Sequence, residues 1–304
     1  MNILELNKVR KSYDKFVAVD DLSFNIARGA IFGLLGPNGA GKTSTIRMMM
    51  GITYPDAGTV TIFGEPFRRA HLKRIGYLPE ERGLYPKMKV VEQLVFLGEL
   101  RGLSRAEARK RALVWGERMD IADSFQKKTN ELSKGMQQKI QFIATLLHDP
   151  EFIVMDEPAS GLDPVNAKLL EDVLVGLNRE GKTILFSSHR MDQVEKLCHS
   201  ICLVNKGKSV LQGELKAVKG RYGKNSVQIA FEENGRFDPN FLKGHALVKS
   251  MEHYEGHIHL QLAPGADSQE ILRAVAERSR LNRFEVMEPS LEEIFIDVVG
   301  KDNA

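Results

Sequence analysis

Gly36-Pro37-Asn38-Gly39-Ala40-Gly41-Lys42-Thr43 lies between an apolar run and a helical one, and the rest of the chain is read outward from it. The stretch fits G-x-x-x-x-G-K-[ST], a pattern with a physical purpose. Backbone N–H groups must turn inward around a chain of phosphates, and only glycine lets the main chain approach that closely. Lys42 is placed to bridge β- and γ-phosphate oxygens, and the Thr43 hydroxyl is placed to ligate Mg²⁺. Ser44 follows as the last residue of the phosphate-binding segment. Ile31 to Leu35 reads as a buried strand entering the loop, and Thr43 to Met50 as the helix leaving it. A helix N-terminus adds its dipole to an anion site. These residues imply that a nucleoside triphosphate is bound here.

Upstream, residues 3–9 read as an opening strand, followed by the basic segment Lys8 to Lys15 around Tyr13. Leu22, Phe24 and Ile26 alternate with polar residues, which predicts a half-buried strand. Downstream, Tyr54-Pro-Asp-Ala-Gly58 is a turn, and Val60 and Ile62 resume a strand. A helix is expected from Val90 to Leu100, and Ser104-x-x-Glu107 forms a capping box that opens a charged helix through Arg118. Residues 84–130 thus read as a helical insertion. The helical part reaches about residue 150 once the helix carrying Ile140, Ile143 and Leu147 is included, up to the break at His148-Asp-Pro150. Phe152 to Met155 is a short buried strand. Pro164 opens a helix with Val165, Leu169, Val173 and Leu177 on one face and Gly181 beyond its end. Thr183 to Phe186 is again a strand. Strands alternating with helices predict an α/β fold with a mostly parallel sheet and a site at the strands' C-terminal ends. The character changes near residue 220, where Lys219 to Asn225 reads as a linker. Beyond it come strands at Val227–Phe231 and His257–Leu262, a helix at Ser268–Arg278, a strand around Phe284 and a helix from Ser290. The expected domains are 1–220 and a small α+β domain at 221–304, the latter without a chemical motif.

Four further motifs narrow the reading. Phe152-Ile-Val-Met-Asp156-Glu157 is four apolar residues ending in two carboxylates. Asp156 would hold Mg²⁺ through water, and Glu157 would be the general base that polarises an attacking water. Leu132-Ser133-Lys134-Gly135-Met136 opens the helix that carries Ile140. Ala159-Ser-Gly-Leu-Asp163-Pro follows Glu157, and His189 follows Leu185-Phe-Ser-Ser188. Alone, a Ser-x-Gly is a helix cap and a strand-end histidine is structural. In this order they resemble an ABC-transporter ATP-binding subunit across about residues 1–220: P-loop, signature, Walker B, D-loop and switch histidine. Ser133 and Gly135 keep the signature positions, whereas Lys134 and Met136 depart from the common LSGGQ form.

The resemblance implies a mechanism. Two such domains face head to tail, and each ATP lies between the P-loop of one and the signature of the other. ATP binding closes the pair and hydrolysis releases it. Asp163 would shape the contact near the nucleotide, His189 would act beside Glu157, and Tyr13 would stack on adenine. Tyr77-Leu-Pro-Glu80 sits where the family places a glutamine loop, yet position 80 is Glu. A carboxylate still suits Mg²⁺, a hard cation that prefers oxygen. The string Gly76 to Met88, with the C-terminal extension, is similar to bacterial sodium-efflux (NatA-like) subunits of the ABC-2 export group. That implies an exporter of sodium or another small solute, with a separate permease docked beside the Glu80 to Tyr85 loop.

Bulk properties set the remaining bounds. The 304 residues are 27% charged and 42% hydrophobic, as expected of a soluble globular protein. A net charge of +3 gives no argument for nucleic acid. Cys198 and Cys202 flank His199 without an evident fourth ligand, which leaves buried packing or a metal site and excludes a disulfide framework. No apolar run approaches the ~20 residues that span a bilayer, and the N-terminus lacks the order of a signal peptide. The expected location is the cytoplasmic face of the membrane, reached through permease chains. The other expected partner is a second ATP-binding subunit, identical because both half-sites are complete apart from Glu80, Lys134 and Met136. The alternative from another class is a soluble ABC ATPase acting on ribosomes or DNA. A single P-loop and a short insertion argue against it. The C-terminal domain reads either as a sensor or as an enlargement of the dimer contact.

Overall fold

The computed structural model describes residues 1–81, 83–222, 226–231, 239–254, 256–263 and 265–301. The chain divides into two units, Met1–Glu214 and Leu215–Ala304.

The first unit opens with a long hairpin, β1 (Asn2–Tyr13) and β2 (Phe16–Ala27). Then come β3 (Ile31–Leu35), α1 (Lys42–Met49), β4 (Ala57–Ile62), β5 (Glu65–Pro66) and β6 (Ile75–Leu78). Three helices follow, α2 (Val90–Leu100), α3 (Arg105–Arg118) and α4 (Lys134–Leu146). The unit continues with β7 (Phe152–Asp156), α5 (Pro164–Arg179), β8 (Thr183–Ser188), α6 (Met191–Leu197), β9 (Ser200–Asn205) and β10 (Lys208–Glu214). The central sheet has the order β10-β9-β3-β8-β7-β6 and is parallel except for β10 at its edge. β3, β7 and β8 are buried at every position, as strands covered on both faces must be.

A second sheet, antiparallel and ordered β2-β1-β4-β5, was not separable in the sequence. Its apolar face supplies Leu4, Leu6, Leu22 and Ile26 to one core with Phe32, Leu34, Val154 and Leu185 of the parallel sheet. Ile46, Met48 and Met49 of α1 belong to the same core, so the helix leaving the phosphate loop is anchored deep in the unit. Phe24 stacks on Phe32 with ring centroids 5.2 Å apart, which ties the two sheets together.

Local expectations need four corrections. β1 runs beyond the expected residues 3–9 and through the basic segment, so Tyr13 ends a strand and pairs with Phe16. The buried face of α5 is Ala167, Leu170, Val173, Leu174 and Leu177, while Val165 is 78% exposed and Leu169 is only half-buried. The box at Ser104 is half formed. Its hydroxyl accepts from the Glu107 amide at 3.2 Å, but the Glu107 carboxylate takes a 2.6 Å bond from Arg111 instead of reaching back. An arginine one turn on offers a charged donor that outcompetes a backbone N–H. Finally, β9 and β10 occupy a region left without strands.

The second unit contains α7 (Leu215–Arg221), β11 (Ser226–Phe231), β12 (Val248–Tyr254), β13 (His257–Leu262), α8 (Ser268–Ala276), β14 (Leu281–Met287) and α9 (Leu291–Lys301). Its sheet is antiparallel, ordered β12-β13-β11-β14. Val227, Ile229, Ile258, Leu260 and Leu262 point one way, against Ile271 and Val275 of α8. The expected linker begins as the last turn of α7, and its residues 223–225 lie outside the described ones. Among the described residues no helix is long and apolar enough to cross a membrane.

Candidate functional site

β3 delivers the chain into a loop that larger residues could not form. Gly36, Gly39 and Gly41 have φ of 147°, 79° and 106°. A Cβ at Gly36 would lie 2.1 Å from the Val204 carbonyl oxygen, and one at Gly41 would lie 2.4 Å from that of Ala18. α1 starts at Lys42, so its free N–H groups face the loop's interior. Lys42 is buried, and its Nζ donates to the carbonyls of Gly36 (2.7 Å) and Pro37 (3.2 Å). The same ammonium lies 3.6 Å from Glu157 Oε1.

The acidic pair stands where β7 ends. Asp156 is fully buried, and the Ser187 hydroxyl on neighbouring β8 donates to its Oδ1 at 2.5 Å. Ser187 Oγ also accepts from the Glu157 amide at 3.0 Å, so one hydroxyl fixes both acids. Glu157 adopts φ 50°, a left-handed conformation that costs a non-glycine residue on the order of 1 kcal/mol. That turn aims its carboxylate away from the strand, toward Lys42 on one side and His189 on the other. His189 Nδ1 lies 3.0 Å from Glu157 Oε2 and donates when it carries the proton. The negative charge here is felt nearby: burial, with the charge of Asp156 adding, pushes the Tyr77 hydroxyl up to about 12.

A cleft of about 340 Å³ joins these parts, lined by residues 38–44, Glu80, Glu157, Tyr13, Phe16 and Ala18. Tyr13 is held from behind. Asp56 accepts from Lys11 Nζ and from the Ser12 amide, both at 2.7 Å, and the Lys11 ammonium sits 5.7 Å from the Tyr13 ring centroid. Donation by Lys11 and by the Ser12 amide keeps the Asp56 carboxyl below its usual range. Phe16 is a second aromatic at the cleft. Its signal in the sequence was its place across a two-residue turn from Tyr13, invisible until the hairpin was known. A larger cleft of about 690 Å³, lined by residues such as Asn2, Asn25 and Gln212, contains none of the motif residues. The chemistry lies in the smaller one.

Seven expected site residues do not line that cleft: Gly36, Pro37, Asp156 and His189 are bonded to residues that do, whereas Ser133, Gly135 and Asp163 are not. Ser133 caps α4, accepting from the Met136 amide at 3.3 Å. Gly135 follows it, and a Cβ there would sit 3.7 Å from Leu162 of the loop after Glu157. Asp163 caps α5, where the Asn166 backbone and side-chain amides hold its carboxyl below the usual range. Signature and D-loop therefore adjoin each other, apart from the phosphate loop of the same chain.

Mg²⁺ suits the oxygens present. Asp156 Oδ2 is buried without a hydrogen-bond partner, which a cation would remedy. Among the described residues no three His, Cys, Asp or Glu side chains converge on one metal position. A nucleotide-borne Mg²⁺ takes most of its ligands from phosphate and water and needs only one or two carboxylates. Cys198 and Cys202 are buried thiols whose pKa burial raises, and His199 Nδ1 accepts from the Ile31 amide at 3.0 Å. The two thiols are buried packing residues, while His199 is exposed.

A glycine loop capping a buried helix, with paired carboxylates at the end of β7, two strands across the sheet from β3, defines a P-loop nucleoside triphosphatase. A family model described as ABC transporter matches residues 19–160, and one described as ATP-binding protein DrrA1-3-like, C-terminal domain matches residues 213–299. An uncharacterized ABC transporter ATP-binding protein, YhaQ of Bacillus subtilis (strain 168), is 46% identical over 298 residues, covering 98% of this chain and 99% of its own. Nod factor export ATP-binding protein I of Paraburkholderia xenovorans (strain LB400) is 35% identical over 303 residues, covering 98% and 97%. A solved ATP-binding subunit of an ABC transporter superposes with a TM-score of 0.67 at 28% identity, covering 73% of this chain and 93% of its own. The chain belongs to the ABC transporter ATP-binding proteins, with a DrrA-like C-terminal domain, and is an ATP-hydrolysing subunit.

Proposed function

We propose that two copies of this chain close head to tail around ATP and so drive a separate membrane permease as an exporter. The observation that carries the composite site is that Ser133 and Gly135 lie outside the cleft holding Lys42 and Glu157. A signature left outside its own cleft is available to the cleft of a second copy. Within one such site Lys42 leaves the Gly36 and Pro37 carbonyls for β- and γ-phosphate oxygens. Loop N–H groups take the remaining oxygens, and adenine stacks on Tyr13. Glu157 accepts a proton from the attacking water, and His189 holds its other oxygen in place. Asp156, Glu80 and the Thr43 hydroxyl would hold Mg²⁺, which when bound offsets phosphate charge.

Export is supported by the name of the Nod factor export relative and by the resemblance to sodium-efflux subunits. The cargo is sodium or another small solute, carried by the permease chains, which hold this subunit at the cytoplasmic face of the membrane. Permease docking falls near residues 80–85, where Tyr85 is 49% exposed and meets Phe96 edge-on at 5.9 Å. Arg82 of that loop lies outside the described residues. Ribosome- or DNA-directed action gains no support from relatives named as transporter subunits. Mixing Lys42→Ala with Ser133→Arg protein tests the composite site. Each alone should be inactive, and the mixture should regain ATP turnover, because one of the two sites in a mixed dimer is intact. A Ser133→Arg protein with undiminished turnover by itself would contradict the reading.

A further inference from the structure

Helix α4 carries Ser133 at its cap, and three side chains along it reach carbonyls where β6 and β7 end. Gln138 Nε2 donates to Pro158 O at 3.1 Å, directly after Glu157. Gln141 Nε2 donates to two carbonyls, Pro79 O at 3.3 Å and Glu81 O at 3.0 Å. Thr145 Oγ1 lies 3.3 Å from Tyr77 O and 3.0 Å from the Gln141 carbonyl, sharing one proton between them. The helix comes this close because residue 76 is glycine: a Cβ there would sit 2.6 Å from Thr145 O.

Gln141 stands out among the three. Its residue is 6% exposed, and its Oε1 is buried with no hydrogen-bond partner in the described residues. The amide cannot be turned over to satisfy that oxygen, since the oxygen would then face two carbonyls. A buried acceptor is left unpaired so that both N–H bonds of one amide grip the carbonyls on either side of Glu80. With residues 79 and 81 tied back to α4, the residue between them lines the phosphate cleft.

We propose that Gln141 is a positioning residue: by clamping the peptides that flank Glu80, it aims that carboxylate into the cleft and sets how strongly divalent metal supports nucleotide binding. This rests on the reading of Glu80 as a metal ligand. Because Gln141 is on the signature helix, the clamp also links that helix to the metal side of the chain's own nucleotide site.

The test is the affinity of the full-length protein for a non-hydrolysable ATP analogue, AMPPNP, measured by calorimetry with Mg²⁺ and again in EDTA. The ratio of the two affinities is the metal enhancement. Gln141→Leu keeps the volume but not the donors, and should cut the enhancement about tenfold while the EDTA affinity stays the same. Gln141→Asn reaches one carbonyl at most and should fall between, which decides the matter if the leucine variant fails to fold. Thr145→Val removes a hydroxyl from the same helix face and should lower stability without changing the ratio. Glu80→Ala should reduce the ratio at least as far as Gln141→Leu. If Glu80→Ala reduces it and both Gln141 variants leave it intact, the clamp is overturned while the metal reading stands. An unchanged ratio in Glu80→Ala overturns both. Equal losses in Gln141→Leu and Thr145→Val would reduce Gln141 to a merely structural residue and overturn the proposal.

Discussion

The two units of this chain use sheets in opposite ways. In the first, the three central parallel strands β3, β8 and β7 are buried along their length, so their polar business is confined to their ends, where the phosphate loop, Asp156, Glu157 and His189 meet. In the second, antiparallel strands alternate: Ile258, Leu260 and Leu262 face α8, while His257, His259 and Gln261 face the other way and stay partly exposed. A parallel sheet concentrates strand termini on one edge and gathers function there; an alternating sheet spreads its polar residues over a face. Identifiable chemistry is therefore confined to one unit, although both have a complete core.

Four substitutions break or sharpen that contrast. Lys42→Ala removes the charge aimed at the phosphates and should lower ATP turnover by about 10²–10³-fold in a steady-state assay. Leu260→Ala opens a cavity in the second core and should destabilise that unit by about 2–5 kcal/mol in urea unfolding, with nucleotide affinity unchanged. A fall in nucleotide affinity would break the comparison. Ser187→Ala leaves an Asp156 oxygen and the Glu157 amide without their shared partner, at a cost of about 1–3 kcal/mol in stability. Turnover should fall with it, since the Glu157 turn loses its tie to β8. Arg74→Met should have the smallest effect. Arg74 donates to both oxygens of Glu151, at 2.6 and 2.8 Å, and this holds the Glu151 carboxyl below its ordinary 4.5. The stabilisation is complete above that ordinary value and is lost as pH falls through the lowered one. Replacing Arg74 should flatten this acid-side loss in pH-dependent melts, by under about 1 kcal/mol for so exposed a pair.

What the sequence revealed follows the same division. The loop at 36–43, the acids at 156–157 and the parallel strands β3, β7 and β8 were legible because each is contiguous and its spacing has a chemical reason. Ser187 and Gln141 were not, since their partners lie 31 and 60 or more residues away, across strands and a helix whose registers are set only by packing. On α5 the expected Val173 and Leu177 are buried, but Leu169 is only half-buried and Val165, apolar in sequence, sits in the exposed first turn ahead of the contact with the sheet. The hairpin that seats Tyr13 beside the cleft was hidden by the charged residues of its outer edge. In the second unit, alternation predicted strands but named no chemistry, because among the described residues no cluster of His, Cys, Asp or Glu converges on one point.

The most direct measurement is size-exclusion chromatography of the Glu157→Gln protein with ATP, alongside its steady-state turnover. Loss of the general base should abolish turnover and trap a dimer that forms with ATP and dissociates with ADP. A Glu157→Gln protein that hydrolyses ATP at the wild-type rate, or stays monomeric with ATP bound, would contradict a composite site in which Glu157 takes the proton.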